Sequence, residues 1–217
     1  MLLNKNETLL FTGDSVTDCG RDRNGLPGFL GDGYPNMVSA ALTAIYPELT
    51  IKVQNTGVGG DTTNELLARW DRDVIQQHPD YVSILIGVND VWRHFDAPFY
   101  HPTDLVTPDG YRANYQAMID ATQDKVKQII IISPFFFEPD RHNPMRAMVD
   151  QYRAIAEELA TTNELRYVDV QAVVDRYLTL HASYILTADR VHPNFKGHLL
   201  VTNTFLQAIG FDWQHQF

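Results

Sequence analysis

The 217-residue sequence contains one cysteine, Cys19, and relatively few basic residues. A single cysteine cannot form an internal disulfide, so the fold does not depend on an oxidising compartment. The 17 lysines and arginines are outnumbered by 27 acidic residues, and the formal charge of −10 argues against nucleic acid as a partner. No apolar run approaches the length of a membrane span, and the first ten residues lack the pattern of a secretion signal. We therefore expect a cytoplasmic protein that binds neither nucleic acid nor membranes.

Five short apolar runs, rich in β-branched residues, are typical of buried strands. They cover residues 8–13, 49–55, 81–87, 127–133 and 165–170. Segments with the apolar spacing of amphipathic helices lie between them, and a last helix is predicted near 194–208. This alternation predicts a three-layer α/β/α sandwich with a five-stranded parallel sheet, of the flavodoxin-like type. With 44% hydrophobic residues, the chain from 1 to 217 is expected to form one domain around one core.

Polar or glycine-rich positions follow the predicted strands, where the ligand crevice of an open α/β sheet lies. They are Ser15 after the first strand, Gly57, Gly59 and Gly60 after the second, Asn89 after the third, and Asp189 with His192 in the final loop. Ordinary structural roles are the alternatives: a helix N-cap for Ser15, turn chemistry or a phosphate cradle for the glycines, and an Asx turn for Asn89. The glycine loop lacks a P-loop lysine, which favours a site for a transient oxyanion over a nucleotide site.

The segment "DRVHPN" places Asp189 three positions before His192. A turn of that length can bring the carboxylate to Nδ1 of the imidazole while Nε2 faces Ser15. The seven other histidines, His198 among them, are interpreted as surface residues. The Asn89 amide could donate a hydrogen bond to a carbonyl oxygen that gains negative charge. The set is typical of acyl transfer through a serine nucleophile.

The blocks "GDSVTD", "NTGVGGDT", "IGVND" and "DRVHP" resemble, in order and spacing, those of the SGNH hydrolases, also called GDSL esterases. The resemblance covers nearly the whole chain. It implies that Ser15 is the nucleophile, that His192 acts as general base and then acid, and that Asp189 orients His192. It also implies three oxyanion donors: the backbone N–H groups of Ser15 and Gly60 and the side chain of Asn89, with Gly60 preferred to the glycine before it. No metal or organic cofactor is needed.

Longer stretches, such as "GDSVTDCGR", "IGVNDVWR", "NPMRAMVDQY" and "ADRVHPNFKGH", are similar to bacterial acetylxylan and carbohydrate acetylesterases. This similarity implies removal of short acyl groups, acetyl above all, from carbohydrate esters such as acetylated xylo-oligosaccharides. In that group the residue before the catalytic aspartate can be aromatic. Ala188 is small, so we expect one wall of the pocket to be more open here.

Aromatic side chains that face a cleft can stack on sugar rings or close off a short acyl pocket. The candidates for substrate binding are Trp92, Arg93, Phe95 and Tyr184, with packing in the core or at a subunit contact as the alternative. The segment 95–110 contains three prolines and no steady period, which predicts a long functional loop. Its aromatic first part is compatible with a homo-oligomer.

Other functions stay open on the sequence alone. A short-chain esterase, thioesterase or lysophospholipase of the same superfamily would use the same triad. A metal-dependent hydrolase would instead use Asp14, Asp18, Asp189 and His192 as ligands. A non-catalytic module that binds sugar or phosphate is the third class. Loss of activity in a Ser15→Ala protein separates the serine enzyme from the other two classes.

Overall fold

The computed structural model describes residues 1–22, 29–96 and 105–217. Its sheet has five parallel strands in the order β2-β1-β3-β4-β5. The strands are β1 (Thr8–Gly13), β2 (Lys52–Asn55), β3 (Tyr81–Leu85), β4 (Gln128–Ile132) and β5 (Arg166–Val168). Each lies inside one of the five apolar runs, because a strand buried on both faces needs apolar side chains at successive positions.

Helices cover both faces of this sheet. Those in the described residues are α1 (Ser15–Asp18), α2 (Tyr34–Ile45), α3 (Thr63–Ala68), α4 (Trp70–Asp73), α5 (Val88–Trp92), α6 (Pro108–Thr122), α7 (Pro144–Thr162), α8 (Val170–Leu178) and α9 (Phe195–Ala208). Side chains alternate along a strand, so Leu10 packs against helices α3 to α7 on one face, while Leu9 and Phe11 pack against α2, α8 and α9 on the other. The predicted three-layer α/β/α sandwich is confirmed.

The strand order places a topological switch point at β1. The chain passes from β1 to β2 on one side and then returns to β3 on the other side of β1. Crossovers that leave in opposite directions open a crevice beyond the carboxyl ends of these strands. Ser15 follows β1 directly, so it lies at this crevice.

The prediction of a loop over residues 95–110 is wrong at the C-terminal end of this segment. Pro108 to Gly110 form the first turn of α6, and the Thr107 side chain caps that helix by accepting from the Gly110 N–H at 3.1 Å. Proline is favoured at the first helical position, so this proline marks a helix start. Residues 97–104 lie outside the described residues. None of the helices in the described residues is both long and apolar enough to span a membrane.

Candidate active site

Three side chains from opposite ends of the chain form a hydrogen-bonded row at the crevice. The Ser15 Oγ lies 2.9 Å from Nε2 of His192, and Nδ1 of the same ring lies 2.6 Å from an oxygen of Asp189. Ser15 is the first residue of α1, whereas the other two lie in the loop before α9. The structure therefore brings together the serine, histidine and aspartate that the sequence singles out.

The loop that carries Asp189 and His192 is closed by its own hydrogen bonds. Oδ1 of Asp189 accepts from the backbone N–H groups of Val191 at 2.9 Å and His192 at 2.7 Å, while the Thr187 hydroxyl donates to the His192 carbonyl. Burial raises the pKa of Asp189, but the hydrogen bonds from the imidazole and from these N–H groups outweigh it and lower the pKa to about 2. The carboxylate is thus ionised when it meets the imidazole.

A second layer of contacts anchors this loop to the body of the protein. The Arg190 carbonyl accepts from the Phe137 N–H at 2.9 Å, and the Arg190 guanidinium pairs with Glu138. The fully buried Arg146 in turn donates to the Glu138 carbonyl at 2.7 Å and pairs with Asp175 at 2.8 Å. These supports are not predictable from the sequence, because the partners lie on separate elements.

The glycine loop after β2 presents a backbone donor beside Ser15. Gly59 donates its N–H to Oδ2 of Asp18 at 2.9 Å. The next N–H, from Gly60, has no acceptor among the described residues, and Gly60 has φ +88°, which glycine adopts without strain. Gly57 allows the close approach of α1, since a Cβ there would lie 2.5 Å from the Asp18 backbone nitrogen. This geometry supports Gly60, and not Gly59, as an oxyanion donor.

Asn89 provides an amide at the same crevice. Asn89 is the second residue of α5 and is 2% exposed. It donates one Nδ2 hydrogen to the Asp61 carbonyl at 2.9 Å. An amide nitrogen carries two hydrogens, so the second is available to a ligand. The neighbouring Asp90 accepts from the N–H and hydroxyl of Thr63 at 3.0 and 2.5 Å, and thereby holds the start of α3 against α5.

Comparison with known proteins identifies the family. Residues 11–200 match the GDSL-like Lipase/Acylhydrolase family. The chain belongs to this family. It is 43% identical over 216 residues to an acetylxylan esterase of Geobacillus stearothermophilus, with 98% of each chain covered. The crystal structure of Axe2, an acetylxylan esterase from that organism, superimposes with a TM-score of 0.95 over 100% of both chains at 43% identity. The resemblance inferred from the four sequence blocks is confirmed.

Further solved structures bear on the site. LAE5, an alpha/beta hydrolase from the metagenome of Lake Arreo in Spain, is 39% identical, with a TM-score of 0.93 over 97% of this chain and 98% of its own. Three catalytic mutants of Axe2 replace a serine, an aspartate and a histidine by alanine. That serine has the number of Ser15, and the other two are three positions apart, as Asp189 and His192 are. A further Axe2 mutant replaces a tryptophan directly before that aspartate, where this chain has Ala188.

The predicted pocket residues occupy different environments. The Trp92 ring meets the His192 ring edge-on, with 5.8 Å between centroids. The Arg93 guanidinium lies 3.4 Å from the Gly60 carbonyl and pairs with Asp96 at 3.1 Å, so it borders the glycine loop. Phe95 is exposed, and Tyr184 is 78% exposed on a short 3₁₀ turn. Among the described residues no hydrogen bond or ring contact joins Tyr184 to the triad.

The interpretation of His198 as a surface residue is wrong. Its side chain is 3% exposed, and its Nδ1 accepts from the Tyr34 N–H at 3.2 Å while Nε2 lies 3.2 Å from Cys19 Sγ. Burial lowers the pKa of His198 to about 4, and His192 adds to this effect. The helical spacing from His198 to Val201, Thr202 and Phe205, which are all buried on α9, is the signal that could have placed it inside.

The aspartates considered as metal ligands form hydrogen bonds to other groups of the protein. An Asp14 oxygen accepts from the Val16 N–H at 2.9 Å, Asp18 accepts from Gly59, and Asp189 holds the imidazole of His192. In residues 1–22, 29–96 and 105–217, no group of three or more histidine, cysteine, aspartate or glutamate side chains is arranged to hold a metal ion. The geometry of these carboxylates favours the serine site.

Proposed function

We propose that the protein is a serine esterase that removes acetyl groups from carbohydrate esters such as acetylated xylo-oligosaccharides. The unbroken row from Ser15 Oγ through His192 to Asp189, with distances of 2.9 and 2.6 Å, carries the chemical part of this proposal. The 43% identity to an acetylxylan esterase over 98% of the chain supports the substrate class. No metal or organic cofactor takes part in the reaction.

The first half of the reaction transfers the acyl group to the enzyme. Nε2 of His192 accepts the hydroxyl proton as Ser15 Oγ attacks the ester carbonyl carbon. The carbonyl oxygen becomes an oxyanion, which receives hydrogen bonds from the N–H groups of Ser15 and Gly60 and from the free hydrogen of the Asn89 amide. The bond to the alcohol oxygen then breaks, His192 returns the proton to that oxygen, and the sugar leaves with its hydroxyl restored.

The second half releases the acid. A water molecule gives its proton to His192 and attacks the acyl carbon, and the same three donors stabilise the second oxyanion. Collapse breaks the bond to Ser15 Oγ, which regains its proton from His192, and acetate leaves. In both halves the ionised Asp189 stabilises the positively charged imidazole, and its hydrogen bond keeps the ring proton on Nδ1.

The alcohol side of the substrate is assigned to Trp92 and Arg93. Trp92 packs against the His192 ring, so a sugar bound at the leaving-group side of the imidazole would meet the indole. Pyranose rings stack on aromatic faces, which makes Trp92 the residue expected to bind the sugar. The Arg93 guanidinium lies beside the glycine loop and is expected to donate to sugar hydroxyls. Tyr184 is a candidate for a more distant sugar unit because of its exposure.

Initial rates on p-nitrophenyl esters of increasing chain length, and on acetylated xylo-oligosaccharides, test the proposal. A lipase would gain with chain length, because each buried methylene adds about 0.8 kcal/mol of binding. We expect kcat/KM to fall from acetate to butyrate and the acetylated xylo-oligosaccharides to be cleaved. Trp92→Ala should slow cleavage of the sugar substrate more than that of p-nitrophenyl acetate, with Trp92→Phe as the control that keeps a ring beside His192. Faster turnover of octanoate, or untouched sugar acetates, would contradict the assignment to carbohydrates.

We also propose a cytoplasmic homo-oligomer built from one domain per chain. The free thiol of Cys19 fits a reducing compartment. Several large apolar side chains are exposed, among them Leu180, Phe195, Trp213 and Phe217, and such side chains supply the apolar centre of subunit interfaces. Light scattering of the purified protein tests the assembly, since the mass of a single chain would contradict it.

A further inference from the structure

One partly buried guanidinium contacts the segments that carry Ser15 and Gly60, and a residue that is hydrogen-bonded to Asn89. Arg69 lies between α3 and α4, and its side chain is 9% exposed. Its Nε donates to Asp61 Oδ2 at 2.6 Å, and Nη1 donates to the Thr56 carbonyl at 2.7 Å and to Asp73 at 3.0 Å. Its Nη2 donates to the Gly13 carbonyl at 3.0 Å. The planar fork of arginine allows one side chain to span these four acceptors.

Three of these acceptors lead directly to the proposed oxyanion donors. Gly13 ends β1 two residues before Ser15. Thr56 follows β2 and opens the glycine loop that ends in Gly60. Asp61 follows Gly60, and its carbonyl accepts the Asn89 amide hydrogen at 2.9 Å. The position of Arg69 therefore affects all three donors through short covalent or hydrogen-bonded links.

We infer that Arg69 is a positioning residue that sets the distances between the three oxyanion donors. The inference rests on the proposed function. Parallel strands end in main-chain carbonyls that the sheet no longer pairs, and the Arg69 fork joins two such carbonyls across β1 and β2. A lysine has its donors on one nitrogen, so it cannot reach both carbonyls and the carboxylate of Asp61 together.

Charge adds to the geometric effect. The Asp61 carboxylate is buried, and the Arg69 guanidinium forms an ion pair with it. Removal of the guanidinium would take one positive charge away from this carboxylate, beside a site that must itself accept negative charge in the transition state. Loss of this positive charge destabilises the oxyanion of the transition state but not the bound ester. It therefore lowers kcat and leaves the affinity for the uncharged ester unchanged.

The test compares Arg69→Met and Arg69→Lys with the wild-type enzyme on p-nitrophenyl acetate. We expect Arg69→Met to lower kcat by about a hundredfold, the effect of a misplacement of about 1 Å, with KM nearly unchanged. Arg69→Lys keeps the charge beside Asp61 and should lose about tenfold, with a melting temperature close to wild type. Arg153→Met is the matched control, because Arg153 makes a partly buried pair with Asp169 outside the catalytic machinery. Its kcat should stay at the wild-type value.

A double-mutant cycle separates positioning from a general loss of stability. If Arg69 acts through the oxyanion donors, Arg69→Met should cost less than about tenfold in an Asn89→Ala background, because the two changes disturb the same interaction. Equal fold losses in both backgrounds, or wild-type kcat in Arg69→Lys and Arg69→Met, would overturn the inference. An active Ser15→Ala protein would instead overturn the proposed function, so the two failures are distinguishable. If Arg69→Met does not fold, the same cycle with Arg69→Lys decides.

Discussion

Replacement of Asp189 by asparagine keeps the size of the side chain and removes its charge, and the surrounding loop determines how the new amide is oriented. In the wild type, Oδ1 accepts from the backbone N–H groups of Val191 and His192 at 2.9 and 2.7 Å. An amide nitrogen cannot accept these two hydrogen bonds, so the asparagine oxygen must take the place of Oδ1. The amide nitrogen of the variant then takes the place of Oδ2 and faces Nδ1 of His192. In the wild type, Oδ2 lies 2.6 Å from this nitrogen.

The new donor reverses the tautomer of the catalytic ring. Nδ1 must accept a hydrogen bond from the amide, so the ring proton moves to Nε2, the nitrogen that lies 2.9 Å from Ser15 Oγ. A protonated Nε2 cannot take the serine proton. The corresponding change in a serine protease lowers kcat by about 10⁴. The Asp189 side chain is 44% exposed, so water competes for the amide, and we expect a loss of about 10³ to 10⁴ here.

Two measurements on Asp189→Asn check this argument. Initial rates on p-nitrophenyl acetate should show the loss in kcat with KM nearly unchanged, while the melting temperature stays near wild type because the hydrogen bonds of the loop are kept. Two-bond ¹H–¹⁵N spectra of the imidazole should show the proton on Nδ1 in the wild type and on Nε2 in the variant. A kcat within tenfold of wild type, or an Nδ1–H tautomer in the variant, would refute the reasoning.

Two further predictions concern the residues around Ser15. Burial raises the pKa of Asp14 to about 7, against the opposing hydrogen bond from the Val16 N–H. The folded state therefore holds a proton that the unfolded state releases near pH 4. The free energy of unfolding should accordingly decrease as the pH rises from 4 to 7. The melting temperature of Asp14→Asn should accordingly rise relative to wild type over that range, and a constant difference would contradict this. Gly57→Ala should lower both stability, by about 1–3 kcal/mol, and kcat, because its Cβ would press on α1. Gly59→Ala, with nearest neighbours at 3.8 Å, should change neither, and equal effects of the two variants would show that the contact with α1 is unimportant.

The strands and the residues at their ends could be predicted because both depend on local sequence. The run at 128–132 is apolar at four successive positions, which a strand buried on both faces requires. Ser15 and Asn89 follow such runs directly, so the parallel sheet alone places them at one edge. The turn from Asp189 to His192 is equally local.

The supports of the site depend on contacts between distant parts of the chain, which the sequence does not display. Arg69 reaches the Gly13 carbonyl from the turn between α3 and α4, and nothing in "LARWD" distinguishes it from a surface arginine. The Asn55 side chain holds the Thr17 and Leu30 carbonyls at 2.7 and 2.8 Å, although its position at a strand end was visible in the sequence. The sequence predicts a loop at Pro108, because proline is common both in loops and at the first position of a helix.

The identity of the nucleophile is the central claim, and covalent labelling tests it most directly. A p-nitrophenyl phosphonate should react with the enzyme so that a bond forms from serine Oγ to phosphorus while p-nitrophenolate leaves, and the stable adduct mimics the tetrahedral oxyanion. Peptide mass mapping of the inactivated protein is predicted to place one label, on Ser15, with no label on the Ser15→Ala protein. A label on any other residue accompanied by full inactivation, or a labelled but active enzyme, would contradict the account.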